Sequence, residues 1–350
     1  MFELANSQSA PRILIVRLSA VGDVIHGLPV LNALRGALPQ AYLAWVVEDR
    51  AAALLRGHAA LDALIVVPRG FLKSPRQVWQ LRRRLRGLHF DTAIDLQGLS
   101  KSAVVARLSG ASRRIGFGDA KGREISRWLN NDLVRTCAPH IIDCNLELLQ
   151  ALGIQPPPAR FEVPESEADR LAAAAIISQY RLQTGFGIMN PGAGWPSKLW
   201  PAERFAAVAE YLGRVECLPT LVVWAGEREN GWARQIVAGS GGHARLAPAT
   251  SLTELAAVCR RALIFVGSDT GPLHLAAAVG TACVGMYGPM PAQRNGPYGP
   301  QHVALQKMTF QGPSRQRKNA SPALMEAIGV ELVCEACSRI LRRDGWCAAA

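Results

Sequence analysis

No run of 18 or more uncharged apolar residues appears anywhere in the 350-residue sequence, which excludes a membrane-spanning helix. The opening residues, MFELANSQSAPR, lack the basic start and continuous apolar block of a secretory signal, so a cytoplasmic protein is expected. In that reducing compartment the eight scattered cysteines are expected to be thiols rather than disulfides. There is no GxxxxGK phosphate loop, no GxGxxG after the first apolar strand and no GxSxG elbow. ATPase, dehydrogenase and serine hydrolase readings therefore lack their motifs. Metal-ligand spacing is missing as well. Cys334 and Cys337 form a CxxC, but only Cys347 follows and no histidine-rich partner does. Three residues apart on a helix, the two share one face and read as buried apolar side chains. Neither a metal nor a cofactor is expected. Aromatic residues make up only 6% of the chain. Phe71, Trp79, Phe90, Phe117 and Trp128 alone accompany its most basic segment, which is no stacking platform for single strands, and no nucleic-acid partner is expected.

What the sequence has in excess is positive charge. The net charge is +12, and Arg69 to Arg135 holds 15 Arg or Lys against 5 Asp or Glu. Such a block favours an anionic partner. Part of it reads as the solvated face of a helix, RQVWQLRRRLRGL, with Val78, Leu81, Leu85 and Leu88 turned inward. That helix does not account for Arg69, Lys73, Arg113, Arg114, Lys121 and Arg123, which fall in loops.

Short apolar runs alternate with amphipathic stretches along the whole chain. Strands are predicted at Ile13–Val16, Tyr42–Val47, Ala63–Val67 and Thr92–Leu96. Four more are predicted at Gly187–Asn190, Thr220–Trp224, Leu263–Val266 and Cys283–Tyr287. Helical patterns such as Ser102–Leu108, Ala202–Leu212 and Leu252–Cys259 lie between them. Alternation without hairpin signals predicts parallel α/β sheets with helices on both faces. The alternation breaks at LGIQPPPARFEVPESE, where three prolines stiffen a connection and cannot continue a helix or a central strand. Two doubly wound domains are expected, 1–160 and 161–322, joined near 153–166 with a cleft between them. Residues 308–322 read as a polar loop. A closing helix, Ala323–Leu341 within 323–350, is expected to pack back on the first domain.

Ligands of such sheets bind at the carboxyl ends of the strands, and three loops there carry chemistry. In FVGSDTGPLHLAAAVGT, residues 265–281, Pro272 suits a helix start and Gly271 lets the backbone approach a ligand. The N–H groups of the helix start then form an anion site to which Thr270 adds a hydroxyl. Asp269 is a poor phosphate neighbour and is expected to orient the loop or to fix the tautomer of His274. An ordinary helix cap uses the same Ser, Asp and Thr types. In MNPGAGWPSKLWP, residues 189–201, Gly192, Ala193 and Gly194 give a flexible loop. Lys198 there is either a surface lysine or a point charge for a diphosphate leaving group. In VVWAGEREN, Glu227 or Glu229 could accept from a ribose diol, or both could simply suit a helix start.

The fourth loop, LSAVGDVIHGLPVL at residues 18–31, follows the first strand. Pro29 starts or bends a helix, so residues 18–28 are expected to be largely loop. Asp23 reads as the cap of a turn beginning at Val24 and, ionised, as a general base. His26 has no assignment.

The stretches ILIVRLSAVGDVIHGLPVL, WVVED, AIDLQGLSKSAVVARL, RIGF, KLWP, SDTGPLHLAAAVGT and VGMYGPMP together resemble glycosyltransferase family 9, the heptosyltransferases, over about Arg12 to Tyr298. The resemblance implies a GT-B fold of two Rossmann-like domains, the first for the acceptor and the second for the donor, ADP-L-glycero-D-manno-heptose. The implied acceptor is the Kdo sugar of the lipopolysaccharide inner core on lipid A. That acceptor implies peripheral contact with the anionic surface of the inner membrane, on its cytoplasmic side. By resemblance Asp23 is the general base and Lys198 serves the leaving group. Asp269, Thr270, Gly271 and His274 form the pyrophosphate loop, Gly192–Gly194 face the phosphates and Glu227 holds the ribose. Arg69, Lys73 and Arg123 match the acceptor contacts. Two departures stand out: Cys144 occupies a position where the family often has arginine, and PGAGWPSK lacks the threonine of other phosphate loops. Transfer of another sugar to a different acceptor, and a non-catalytic nucleotide- or lipid-binding module, are the competing readings.

Overall fold

The continuously apolar runs become central strands, because only a strand covered by helices on both faces buries both of its sides. The computed structural model describes residues 10–123 and 125–346, and its contacts divide the chain into two units that meet at Pro164 and Glu165.

In the first unit β1 (Arg12–Val16), β2 (Tyr42–Glu48), β3 (Ala63–Val67), β4 (Thr92–Asp95), β5 (Arg113–Phe117) and β6 (Asp132–Val134) form one sheet in the order β3-β2-β1-β4-β5-β6. In the second, β7 (Gly187–Asn190), β8 (Thr220–Val222), β9 (Ala244–Leu246), β10 (Ile264–Ser268), β11 (Ala282–Met286) and β12 (Val303–Leu305) follow the order β12-β11-β10-β7-β8-β9. Read from its other end, the second order repeats the first. Every pairing is parallel, and each sheet has the strand order of a Rossmann fold. The order reverses between β1 and β4 in one unit and between β7 and β10 in the other. These two switch points are where such sheets bind ligands.

Four strands were not anticipated: β5, β6, β9 and β12. Three of them are three-residue edge strands, and β5 opens with Arg113 and Arg114. The helix Pro75–Arg86 forms as expected, with Ser74 as its N-cap and Leu81 and Leu85 buried. The closing segment is two helices, Ala323–Glu326 and Val330–Arg343, broken before Gly329. The longer one packs on the helix Ala202–Val215 and on β10 and β11, with Val333, Cys334, Cys337 and Ile340 in the core of the second unit. That corrects the expected return to the first domain: its apolar face is consumed locally. Cys347 lies outside the described residues.

Candidate active site

In the first unit the loop after β1 is tied down from both neighbouring strands. Gln97, just past β4, accepts the Leu18 N–H at 2.9 Å, and the Trp45 indole of β2 donates to the Arg17 carbonyl at 3.1 Å. Arg17 is the centre of this arrangement. Its guanidinium is buried, with the side chain 7% exposed, and it donates to the Leu96 carbonyl while pairing with Asp23 Oδ1 at 2.5 Å. Asp23 sits in a short helix, Val21–Ile25, where a loop was expected. Its other oxygen accepts the Ala20 N–H at 3.0 Å. Asp23 therefore reaches back to the helix start from the third helical position rather than capping a turn at Val24. A carboxylate has about four lone-pair sites, so being held at both oxygens is compatible with accepting a proton.

Beside this loop lies a cavity of about 280 Å³ lined by Ser19, Ala20, Glu48, Arg50, Arg69 and Lys101, among others. Lys101 donates to Ser19 Oγ at 2.7 Å and pairs with Glu48 at 3.1 Å. The cavity therefore carries three cations against one carboxylate, which suits an anionic ligand. Of the expected acceptor residues Arg69 lines it, whereas Lys73 and Arg123 are exposed and do not. Lys101 and Arg50 were missed by the sequence reading; the QGLSKSA stretch that carries Lys101 was the available signal. Across the switch point the fully buried Asp95 accepts from the Gln97 and Gly98 N–H groups at 3.0 Å each and from Asn130 at 3.1 Å. Burial pushes its carboxyl above the usual range despite those bonds. Gly98 turns there at φ +65°, with the Lys121 carbonyl 2.4 Å from where a Cβ would stand. His26 is buried and packs edge-on to His140 at 6.3 Å between centroids. Cys144 is buried with its thiol on the Ala138 carbonyl at 3.0 Å.

In the second unit the loops after β7 and β10 meet at the switch point. Lys198 ends the turn Pro196–Lys198, and its ammonium reaches Asp269 Oδ2 at 2.6 Å and the Asp269 carbonyl at 3.2 Å. The other Asp269 oxygen bonds to His274 Nε2 at 3.0 Å. Burial opposes ionisation of Asp269, but the His274 hydrogen bond and the Lys198 charge outweigh it and hold the carboxyl at about 2. The Trp195 ring lies 4.6 Å from the ammonium. Thr270 is the N-cap of Gly271–Ala278 by backbone, yet its side chain makes no cap bond. Its buried hydroxyl, like that of Ser268 and the amide oxygen of Asn190, has no hydrogen-bond partner among the described residues. Such orphaned polar atoms around a helix N-terminus and a fixed ammonium suit a phosphate ligand.

Gly192 is buried and a Cβ there would stand 2.3 Å from the Glu229 carboxyl carbon, while Gly194 is exposed and unobstructed. Ala193 lies half-buried between them. Glu229, half-buried, accepts the Ala225 N–H at 2.8 Å, and burial raises its carboxyl. Glu227 is exposed. Of the two acids considered from sequence, Glu229 is the one facing the glycine loop. The basic turn Ser314–Asn319, within the segment expected as a polar loop, packs on the lysine turn, with Ser197 Oγ donating to the Arg317 carbonyl at 2.8 Å. No cluster of three or more metal-ligating side chains occurs among the described residues.

Two parallel six-stranded Rossmann-like sheets with flanking helices give this chain the GT-B fold. The sequence profile of glycosyltransferase family 9 (heptosyltransferase) matches residues 78–324, and the chain belongs to that family. Lipopolysaccharide heptosyltransferase 1 of Pseudomonas aeruginosa is 29% identical over 309 residues, covering 84% of this chain and 83% of that protein. A family 9 glycosyltransferase structure from Veillonella parvula superposes with a TM-score of 0.84 at 25% identity, over 97% of this chain and 99% of that one. The Escherichia coli heptosyltransferase WaaC with ADP shares the fold, with a TM-score of 0.74 at 24% identity over 94% and 99% of the two chains.

Proposed function

We propose that the chain is an inverting heptosyltransferase that moves L-glycero-D-manno-heptose from ADP-heptose to Kdo of the lipopolysaccharide inner core, on the Kdo-lipid A acceptor at the cytoplasmic face of the inner membrane. The observation that carries the donor half is the partly buried Lys198 ammonium, locked to Asp269 beside the unpartnered Thr270 hydroxyl and the start of the helix Gly271–Ala278. As the bond from the anomeric carbon to the diphosphate oxygen breaks, its electron pair leaves with ADP. Lys198 and the N–H groups at Thr270 and Gly271 are poised for that charge without reorganising. The Gly192–Gly194 loop accommodates the phosphates, and Glu229, rather than Glu227, takes the ribose hydroxyls.

The acceptor half rests on Asp23 and the cationic cavity. The acceptor hydroxyl loses its proton to the Asp23 carboxylate while its oxygen bonds to the anomeric carbon from the face opposite ADP. Arg69 and Lys101 complement the carboxylate of a Kdo-type sugar. Lys73 and Arg123 stand outside this cavity as contacts for more distant acceptor phosphates. The reaction needs no resident cofactor in this scheme, since a fixed ammonium does the electrostatic work.

The name of the relative from P. aeruginosa supports this donor and acceptor class. Incubation with ADP-heptose and Kdo-lipid A tests the proposal, with ADP release followed by chromatography and the product by mass. A gain of one heptose on Kdo is expected. Transfer only to an already heptosylated core, in parallel reactions, would reassign the acceptor to a later step, and ADP-heptose left intact with every acceptor would refute the reading.

A further inference from the structure

The helices Pro75–Arg86, Ser100–Leu108 and Ser126–Leu129 lie side by side on one face of the first sheet. Their inner residues, including Leu81, Leu85, Val105 and Ala106, belong to the core beneath. Their outer residues are of one sign. All five arginines of the first helix, Arg76, Arg82, Arg83, Arg84 and Arg86, are exposed, as are Arg107 and Arg127 on the other two. The three helical segments contain no Asp or Glu at all. Next to them, Asp91 in a loop is occupied by the Arg12 N–H, and Asp132 at the start of β6 by Arg113. A solvated helix ordinarily intersperses both signs, because like charges repel across a turn. Here the repulsion is retained.

The same layer exposes large apolar rings. Trp79 is 57% exposed and Trp128 is 88% exposed, with Ile125 beside it at 50%. Arg83 lies 5.6 Å from the Trp79 ring centroid. Tryptophan with arginine is the composition that settles at the headgroup level of a bilayer, where one part of the side chain is apolar and the other wet. A duplex nucleic acid would be served by the arginines but has no place for three exposed apolar side chains. The layer is also continuous with the acceptor cavity, because the turn Phe71–Lys73 packs on the first helix and joins it to β3 through Arg69. We propose that this arginine and tryptophan layer is the face with which the protein lies on an anionic lipid bilayer. The choice of a lipid surface rests on the glycolipid acceptor proposed above; the layer itself does not.

Flotation of the full chain with phosphatidylcholine vesicles, with and without phosphatidylglycerol, tests this without any substrate. The wild type should float with anionic vesicles only, and less in high salt. Arg82→Gln, Arg83→Gln and Arg84→Gln together should weaken partitioning about a hundredfold, and Trp79→Ser with Trp128→Ser should weaken it further. All five side chains are exposed, so thermal melts should stay unchanged. An equal triple replacement of the exposed Arg214, Arg339 and Arg342 in the second unit should have no effect. Equal flotation with neutral vesicles, no loss in the Arg82/Arg83/Arg84 variant, or tighter binding to duplex DNA than to anionic vesicles would each overturn the proposal. Transfer to detergent-dispersed acceptor should survive the triple replacement. If the wild type transfers nothing in detergent, the functional reading fails while the flotation result stands.

Discussion

The Lys198 ammonium holds Asp269 twice, by its carboxylate at 2.6 Å and by its own carbonyl at 3.2 Å. One cation thus fixes both the side chain and the main chain of the loop that starts the helix Gly271–Ala278. A flexible lysine is thereby converted into a positioned charge, with side-chain exposures of 14% for Lys198 and 5% for Asp269. Removing one member of a buried pair strands the other, at about 3–5 kcal/mol; His274 remains on Asp269 and should hold the loss to the lower end. Lys198→Ala should therefore lower the melting temperature and reduce kcat about 10²–10³-fold, the usual cost of one electrostatic group facing a leaving charge. Steady-state kinetics with a calorimetric melt would check both. A variant that turns over normally would remove Lys198 from the reaction.

Arg17 should affect transfer through the residue it holds. It bridges the Leu96 carbonyl and Asp23, a task that needs a forked donor and that lysine performs only in part. Asp23→Asn should abolish transfer with ADP binding intact. Arg17→Met should lower kcat about tenfold to a hundredfold with a smaller change in acceptor KM, and Arg17→Lys should recover part of the loss. Equal kcat in all three Arg17 forms would reduce Arg17 to a structural residue.

Sequence reading located the strands around each switch point and the loops that follow them. Those strands are continuous apolar runs, and the loops are marked by Gly, Pro and Asp. It missed the edges β6, β9 and β12, because three-residue segments such as Ala244–Leu246 carry no periodicity. It missed β5 because Arg113 and Arg114 read as solvent-facing, whereas their guanidinium groups bond to Asp132 and to the Leu129 carbonyl. Arg17 was invisible for a related reason. A basic residue after an apolar run resembles the end of a strand, and its burial depends on Leu96, 79 residues further on. The choice between Glu227 and Glu229 turned on the helix start at Gly226, φ +76°. That turn sends one acid to solvent and the other toward Gly192.

The glycine loop offers a paired test. At Gly192 an added methyl would stand 2.3 Å from the Glu229 carboxyl carbon, but at Gly194 it would meet nothing within 4 Å. Gly192→Ala must displace Glu229 or the loop, and should raise the KM for the sugar nucleotide tenfold or more. Gly194→Ala should change it less than about twofold, since open space carries no steric cost. Glu229→Gln should weaken the donor without altering acceptor KM. Titration calorimetry with ADP would separate the variants, and equal affinities for the two alanine forms would detach Gly192 and Glu229 from the donor site.

Acid should act on the fold before it acts on Asp269. The Asp269 carboxyl is held at about 2, below its unfolded value, so its contribution is complete above about pH 4 and is lost only as pH falls toward 2. His302 behaves oppositely. Burial lowers it to about 4, and its neutral Nδ1 accepts the Cys283 N–H at 3.1 Å. Between pH 6.5 and 4 the unfolded chain takes up a proton at this position that the folded chain refuses, so stability falls with pH in that window. Because His302 is partly exposed, the effect should be on the order of 2 kcal/mol or less. Urea unfolding midpoints measured from pH 7 to pH 4 should decline in the wild type and decline less in His302→Gln. The Gln side chain keeps an acceptor for Cys283 but has nothing to protonate. Parallel declines in the two proteins would place the acid sensitivity elsewhere, first at His58, whose burial also lowers it.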